Sequence, residues 1–225
     1  MTAQHAQAGQ TASLSAGLKW QPDPDVMAQT ALASFMAEAG VSGGYAEIWQ
    51  WSTANRDLFW ARLWDFCGVI GDRGPTVFAP GAKFQEGRFF PDSKINFAEN
   101  LLRRRDDALA IVFRGEDKVE RKLTFRDLYD AVSRLRQALA AAGVTAGDRV
   151  AGYMPNMPET VIAMLAATSL GAIWSSASPD FGVQGVLDRF GQIEPKVVFC
   201  VDGYYYGGKE IDCRDKIRDV LQQLP

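Results

Sequence analysis

The sequence predicts an α/β protein in which a helical, tryptophan-rich N-terminal region is followed by a mostly parallel sheet covered by helices. All but one of the tryptophans precede residue 65. From residue 108 onward, strand patterns alternate with helical patterns, and several of these helices are apolar nearly all round. That alternation is typical of a parallel sheet with both faces covered. An apolar content of 47% is ample for a core.

The N-terminal region, residues 25–106, is expected to be mainly helical. Asp25 is placed to cap a first helix that Gly40 ends, and residues 45–68 predict a second one. Residues 69–94 are rich in Gly and Pro, which indicates an extended connection.

Residues 107–225 are expected to form the first part of the sheet domain. Residues 108–115, ALAIVFRG, predict a strand, and residues 116–123, EDKVERKL, could return as its hairpin partner. Thr124 and Asp127 have the spacing of a capping box, so a helix begins there and Gly143 ends it. The remaining strands read RVAGYM, AIWSS and KVVFCV, and the remaining helices PETVIAMLAATSL, VQGVLDRFGQI and a last one around CRDKIRDVLQQL.

Composition and charge exclude several classes of partner. The formal net charge of −3 provides no basic field for nucleic acid or for an anionic membrane. Residues 1–24 lack the pattern of a secretory signal and predict a disordered tail. Residues 160–179 approach membrane-spanning length, but polar residues, glycine and proline interrupt them. The three cysteines have no metal-like spacing, which fits unpaired thiols in a reducing compartment, so we expect a cytoplasmic protein. The net charge and the interrupted apolar stretch predict that it does not bind membranes.

The histidine content limits the chemistry. The single histidine is His5, in the expected tail. A Ser-His-Asp site, a Cys-His site or a histidine-rich metal centre cannot be assembled without a histidine in the folded part. No catalytic residue and no metal ligand is therefore predicted.

Two loops follow strands of the predicted sheet, where ligands bind in such folds. The first, within AIWSSASPDFG at 172–182, contains serines that could be nucleophiles or could line a ligand. Because the only histidine lies in the expected tail and cannot serve as the general base, the role in lining a ligand is favoured. The second, GYYYGGKE at 203–210, fits G-x-x-x-x-G-K but has Glu210 where a phosphate loop needs Ser or Thr. Lys209 could instead pair with one phosphate while a tyrosine stacks on a base, or it could be an ordinary exposed lysine.

The stretch 123–182 resembles the front of the adenylate-forming superfamily, which includes acyl-CoA synthetases. The landmarks are Leu123-Thr124-Phe125 with Leu128, Gly143, Gly147-Asp148-Arg149-Val150, Pro155-Asn156, Glu159 and Gly171-Ala172. The tryptophan-rich front, SKINFAENLL at 93–102 and WSSASPDFG at 174–182 are similar to the branch that activates acetoacetate. The resemblance extends from about Trp20 to the end. It makes residues 25–106 the acyl-CoA synthetase N-terminal region and 107–225 a truncated part of the AMP-binding domain.

The resemblance implies a set of coenzyme-binding residues. Acetate-activating members carry arginines near the CoA nucleotide at the positions of Tyr206 and Lys209, of which Lys209 alone keeps the charge. They carry paired glycines at the positions of Pro179 and Asp180. With Ser178 in the same loop, these residues are the expected CoA-side contacts.

The resemblance also implies the reaction of the whole enzyme. ATP, magnesium and CoA would serve a ligase that turns acetoacetate into an acyl-adenylate and then into the CoA thioester, with AMP and pyrophosphate released. The family's glycine-rich phosphate loop and its C-terminal lysine domain do not occur in these 225 residues. We therefore expect a fragment that is inactive alone, with an open sheet edge that favours self-association. Two alternatives remain: a non-catalytic CoA- or nucleotide-binding module, and a ligase for another short acid such as acetate or butyrate.

Overall fold

The computed structural model describes residues 20–225. The chain divides into two compact units, one ending at Gly68 and the other beginning at Val69. The tail expected at residues 1–24 lies almost wholly outside the described residues. The domain boundary expected between residues 106 and 107 stays a prediction.

The first unit is helical, as predicted, but each expected helix is a pair. Within residues 20–68 the helices are α1 (Pro24–Ala28), α2 (Ala31–Ala39), α3 (Tyr45–Ala54) and α4 (Arg56–Phe66). Asp23, and not Asp25, caps α1, since its carboxylate accepts a hydrogen bond from the Asp25 amide at 2.8 Å. Thr30 starts a new helix because its hydroxyl accepts from the Ala33 amide at 3.2 Å. Gly40 ends α2 in the left-handed conformation, as expected.

The second unit begins with the connection expected to be extended. It contains two small antiparallel pairs, β1 (Gly71–Asp72) with β4 (Lys94–Ile95) and β2 (Phe78–Ala79) with β3 (Arg88–Phe89). A short helix, α5 (Phe97–Leu101), follows. Asn96 caps α5 by accepting from the Glu99 amide at 3.0 Å.

The predicted hairpin and the helix after it are confirmed. They are β5 (Leu109–Gly115), β6 (Val119–Thr124) and α6 (Phe125–Ala141). The Asp127 amide donates to the Thr124 hydroxyl at 3.0 Å, and the Thr124 amide donates to the Asp127 carboxylate at 2.9 Å. This reciprocal pair is the capping box that the sequence indicates.

A three-stranded parallel sheet forms the centre of this unit. Its order is β8 (Ile173–Ala177), β7 (Arg149–Tyr153), β9 (Val197–Cys200), with β7 in the middle. The helices around it are α7 (Pro158–Ser169), α8 (Val183–Ile193) and α9 (Arg214–Leu221). A further hairpin, β10 (Gly203–Tyr206) with β11 (Lys209–Asp212), lies between β9 and α9.

Alternate residues of β7 enter two separate apolar clusters. Val150 is fully buried with residues of α6 and α7, while Ala151 and Tyr153 are buried with residues of α8 and α9. Since side chains alternate across a strand, the two clusters lie on opposite faces of the sheet. Gly152 leaves room for Trp174, because a Cβ there would lie 2.6 Å from the indole. The prediction of a sheet covered on both faces is confirmed.

Within the described residues, β8 and β9 each pair with β7 alone. Each therefore has a free edge in the part of the chain that the structure covers. The expected self-association stays a prediction. None of the helices in residues 20–225 has the length and apolar character needed to cross a membrane.

Candidate functional site

The candidate site lies where β8 and β9 end. The loop 178–182 connects β8 to α8, and the hairpin β10–β11 follows β9 after two residues. The carboxyl ends of parallel strands meet at one edge of a sheet, so both segments belong to that edge. The segment expected as a loop at 202–210 is instead a two-stranded hairpin, because the turn Gly207-Gly208 brings Gly203–Tyr206 back into antiparallel pairing with Lys209–Asp212.

The tip of the hairpin brings together two of the predicted residues. Tyr206 and Lys209 are directly opposite each other across the two-residue turn Gly207-Gly208. Both glycines have positive φ, +60° and +74°, as the commonest two-residue hairpin turn requires. Tyr206 is 68% exposed, and the Lys209 side chain is exposed with no hydrogen bond or ion pair to another described residue. Their side chains are available to a ligand.

This geometry decides against a phosphate loop at 203–210. Such a loop passes from a strand directly into a helix N-terminus. Here the four residues before the glycines form strand β10, and the residues after them form β11. The doubt raised by Glu210 is therefore confirmed.

Ser178 and Asp180 hold each other within the first loop. The Ser178 hydroxyl donates to one Asp180 carboxylate oxygen at 2.8 Å and accepts from the Asp180 amide at 3.3 Å. A serine engaged in this way, with no histidine among residues 20–225, is not an activated nucleophile. The role of these serines in lining a ligand site stays a prediction.

Pro179 is fully buried, in contrast to its neighbours. Its carbonyl accepts from the Lys216 ammonium at 2.6 Å and from the Tyr153 hydroxyl at 3.3 Å. The same hydroxyl donates to the Phe181 carbonyl at 2.5 Å. Pro179 therefore shapes the loop from within, and a direct coenzyme contact by its ring stays a prediction.

A hydrogen bond joins the loop to the hairpin. The Tyr204 hydroxyl donates to the second carboxylate oxygen of Asp180. The hydroxyls of Tyr204 and Ser178 lower the pKa of Asp180, and the Asp180 carboxylate raises the pKa of Tyr204 to about 12. At neutral pH the pair is thus a neutral phenol donating to a carboxylate. This bond couples the two segments that carry the predicted residues.

The hairpin tip is held by a second carboxylate, from a distant part of the chain. Glu116, in the turn between β5 and β6, accepts from the Gly207 amide at 2.6 Å and from the Gly208 amide at 2.9 Å. Sequence reasoning missed Glu116, Tyr204 and Lys216. The two-residue period of a strand places Tyr204 and Tyr206 on one face, so that period was a signal for Tyr204; none existed for Glu116.

The cysteines and acidic groups of the described region show no activated chemistry. Burial raises the pKa of Cys200 and of Cys213, which keeps both as thiols at neutral pH. No group of three His, Cys, Asp or Glu residues within 20–225 is arranged to hold a metal ion. The site has the character of a binding surface built from loop and hairpin.

Comparison with known families agrees with this architecture. The family described as AMP-binding enzyme matches residues 97–224, which include the whole sheet, the loop and the hairpin. This chain belongs to the AMP-binding enzyme family. Its fold is the corresponding part of an adenylate-forming enzyme, as the sequence predicts.

Two individual proteins that the chain is similar to carry the name acetoacetyl-CoA synthetase. The chain is 49% identical over 210 residues to acetoacetyl-coenzyme A synthetase of Rhizobium meliloti (strain 1021), covering 91% of this chain and 32% of that protein. The solved acetoacetyl-CoA synthetase from Streptomyces lividans matches with a TM-score of 0.84 at 39% identity, over 92% of this chain and 33% of that one. These findings confirm the resemblance predicted from the sequence.

A third relative differs in its acid. Malonamoyl-CoA synthetase of Penicillium aethiopicum is 35% identical over 189 residues, covering 80% of this chain and 26% of that protein. The chain therefore spans about a third of the length of the Rhizobium meliloti relative and about a quarter of the length of the Penicillium aethiopicum one.

Proposed function

We propose that this chain is the N-terminal part of an acetoacetate–CoA ligase. The enzyme would activate acetoacetate with ATP as an acyl-adenylate, releasing pyrophosphate, and the CoA thiol would then displace AMP to give acetoacetyl-CoA. The supporting observation is the 49% identity to acetoacetyl-coenzyme A synthetase of Rhizobium meliloti, which extends over nearly the whole chain. Magnesium would be held largely through the nucleotide.

Within this reaction the described residues would serve CoA. CoA carries several phosphate charges and an adenine ring, so a cation and an aromatic side chain at one place suit its nucleotide end. Lys209 and Tyr206 provide that pair at the hairpin tip, and neither is used by other described groups. Ser178 and Asp180 would line the adjoining loop, and Pro179 would set its course. Because the chemistry depends on positioning and on neutralising phosphate charge, it needs no protein nucleophile.

The activity is tested with the protein purified from its native gene, in parallel with the 225-residue chain alone. AMP release is measured with ATP, magnesium and CoA, and acetoacetate is compared with acetate and butyrate. We expect acetoacetate to be preferred and the 225-residue chain to release no AMP. AMP release from that chain with acetoacetate would contradict the proposal that it is an inactive part.

A second candidate is a ligase for another short acid, which the malonamoyl-CoA synthetase relative favours. Adding malonamic acid to the same panel separates the two candidates. A protein that binds CoA but releases no AMP with any of these acids would instead be a binding module.

Lys209 is expected to neutralise a phosphate of CoA, so its replacement should weaken CoA binding. A charge-assisted hydrogen bond contributes about 1.5–3 kcal/mol, which corresponds to at least about a tenfold increase in KM for CoA on Lys209→Ala. Lys209→Arg should retain most of the affinity, since it keeps the charge. Lys118→Ala is the matched control, because Lys118 is an exposed turn lysine that pairs with Asp117. An unchanged KM in Lys209→Ala would remove Lys209 from the CoA site.

A further inference from the structure

The contact between Glu116 and the hairpin turn joins two segments that lie far apart in sequence. Glu116 occupies the turn between β5 and β6, and its carboxylate accepts from two successive amides of the turn between β10 and β11. Its φ of +53° is in the left-handed region, which non-glycine residues seldom adopt. The turn therefore holds Glu116 in an uncommon backbone conformation that aims its side chain at the glycines.

The two glycine amides are well suited to a carboxylate. Successive backbone N–H groups in a turn form a small concave site for an anion. A hydrogen bond to an ionised acceptor is roughly twice as strong as one between neutral groups. In this structure the protein's own carboxylate fills the concave site, at 2.6 and 2.9 Å.

The hairpin is thus attached at both ends to different elements. At its base, the Tyr204 hydroxyl donates to Asp180 of the loop between β8 and α8, while the bond from the Cys213 amide to the Asp202 carbonyl at 2.8 Å closes the hairpin itself. At its tip, Glu116 holds Gly207 and Gly208. A cleft of about 320 Å³ lies between the two hairpins, and its lining includes Phe113, Glu116, Arg121 and the three tyrosines 204–206. Because the cleft leaves room beside β10, the tip could move without the Glu116 contact.

We propose that Glu116 is a positioning residue for the coenzyme site, acting through the amides of Gly207 and Gly208. By fixing the turn, it holds Tyr206 and Lys209 opposite each other in the arrangement that receives the nucleotide end of CoA. This inference rests on the proposed function for its ligand, but the attachment of the hairpin can be measured without any ligand.

The first measurement follows hydrogen exchange of the segment 203–212 in the 225-residue chain. We expect Glu116→Ala to accelerate exchange across this hairpin by about tenfold, because two charge-assisted hydrogen bonds are lost. Glu116→Gln keeps one carbonyl acceptor, so its exchange rate should lie between those of the wild type and Glu116→Ala. Asp117→Asn is the matched control, since Asp117 lies in the same turn and contacts Lys118. Unchanged exchange in Glu116→Ala, with the fold intact by circular dichroism, would overturn the inference.

The second measurement uses the enzyme from the native gene. Glu116→Ala should raise the KM for CoA by about tenfold, with the KM values for ATP and acetoacetate unchanged, and Glu116→Gln should restore part of the CoA affinity. A lower KM for CoA would overturn the inference, because it would make Glu116 a competitor of a ligand phosphate for the glycine amides. Equal changes in the KM values for CoA, ATP and acetoacetate would also overturn the inference. If the wild-type enzyme makes no use of CoA, the proposed function fails, and the exchange measurement still tests the attachment.

Discussion

Phe190→Ala should lower the free energy of unfolding of the second unit by about 3–5 kcal/mol. Phe190 is fully buried in α8, where it packs with Ala151, Tyr153 and Val220 on one face of the sheet. Replacing the phenyl ring by a methyl group leaves a cavity between α8, α9 and the sheet. The free energy of unfolding therefore falls both by the lost transfer free energy of the ring and by the cost of the cavity. Since a domain of this kind is stable by about 5–15 kcal/mol, the loss is a large share of the total.

The effect is measured by urea denaturation of the 225-residue chain, followed by circular dichroism. Gly191→Ala is the control, because it changes the next residue of the same helix and its added Cβ meets no atom within 4 Å. That variant should be stabilised by up to about 1 kcal/mol, as alanine is the better helix former. A decrease of less than about 1 kcal/mol in the free energy of unfolding of Phe190→Ala would contradict the full burial of Phe190 in this cluster.

Phe190 also connects packing to function, since α8 begins where the loop 178–182 ends. The face of α8 that carries Phe190 packs with the same cluster as Tyr153, whose hydroxyl holds the carbonyls of Pro179 and Phe181. Loosening this cluster should therefore release the loop before the rest of the sheet unfolds.

Gly203→Ala should open the base of the hairpin and weaken the proposed coenzyme site. A Cβ at Gly203 would lie 2.7 Å from the Ile211 carbonyl oxygen, a backbone atom of the partner strand that has no side-chain rotamer to adjust. Relief requires the two strands to separate, at a cost of about 1–3 kcal/mol. Because Tyr204 is the next residue, its hydrogen bond to Asp180 should be lost as well.

Hydrogen exchange of residues 203–212 and the KM for CoA of the native-gene enzyme report this change. We expect exchange to accelerate at least about tenfold and the KM for CoA to rise in parallel. Gly191→Ala again serves as the control, since its added methyl group meets open space. Wild-type protection of the hairpin in Gly203→Ala would show that the strands tolerate the methyl group and would contradict the prediction.

Local signals in the sequence predicted most of the second unit. The capping box of Thr124 and Asp127, the hairpin at 108–123 and the alternation of strands and helices all act over a few residues. The same short range explains the errors in the first unit. Thr30 and Asn55 interrupt what apolar periodicity alone presents as continuous helices, because a hydroxyl cap and a non-helical backbone dihedral outweigh a weak periodic pattern.

The candidate residues were predicted as separate positions, and the structure shows hydrogen bonds that join the segments carrying them. Tyr206 and Lys209 could be placed in one segment from sequence, although that segment was expected to be a loop and the structure makes it a hairpin. The links from Tyr204 to Asp180 and from Glu116 to Gly207 and Gly208 could not be predicted, since they join residues separated by 24, 91 and 92 positions.

The sequence by itself therefore determined the α/β class, the order of most elements in the second unit and the two segments that carry the candidate site. The tertiary structure alone decided that one carboxylate holds the loop to the hairpin and that another holds the hairpin tip. The physical reason is that periodicity, capping and turn preferences depend on neighbouring residues, whereas such contacts depend on the path of the chain between elements.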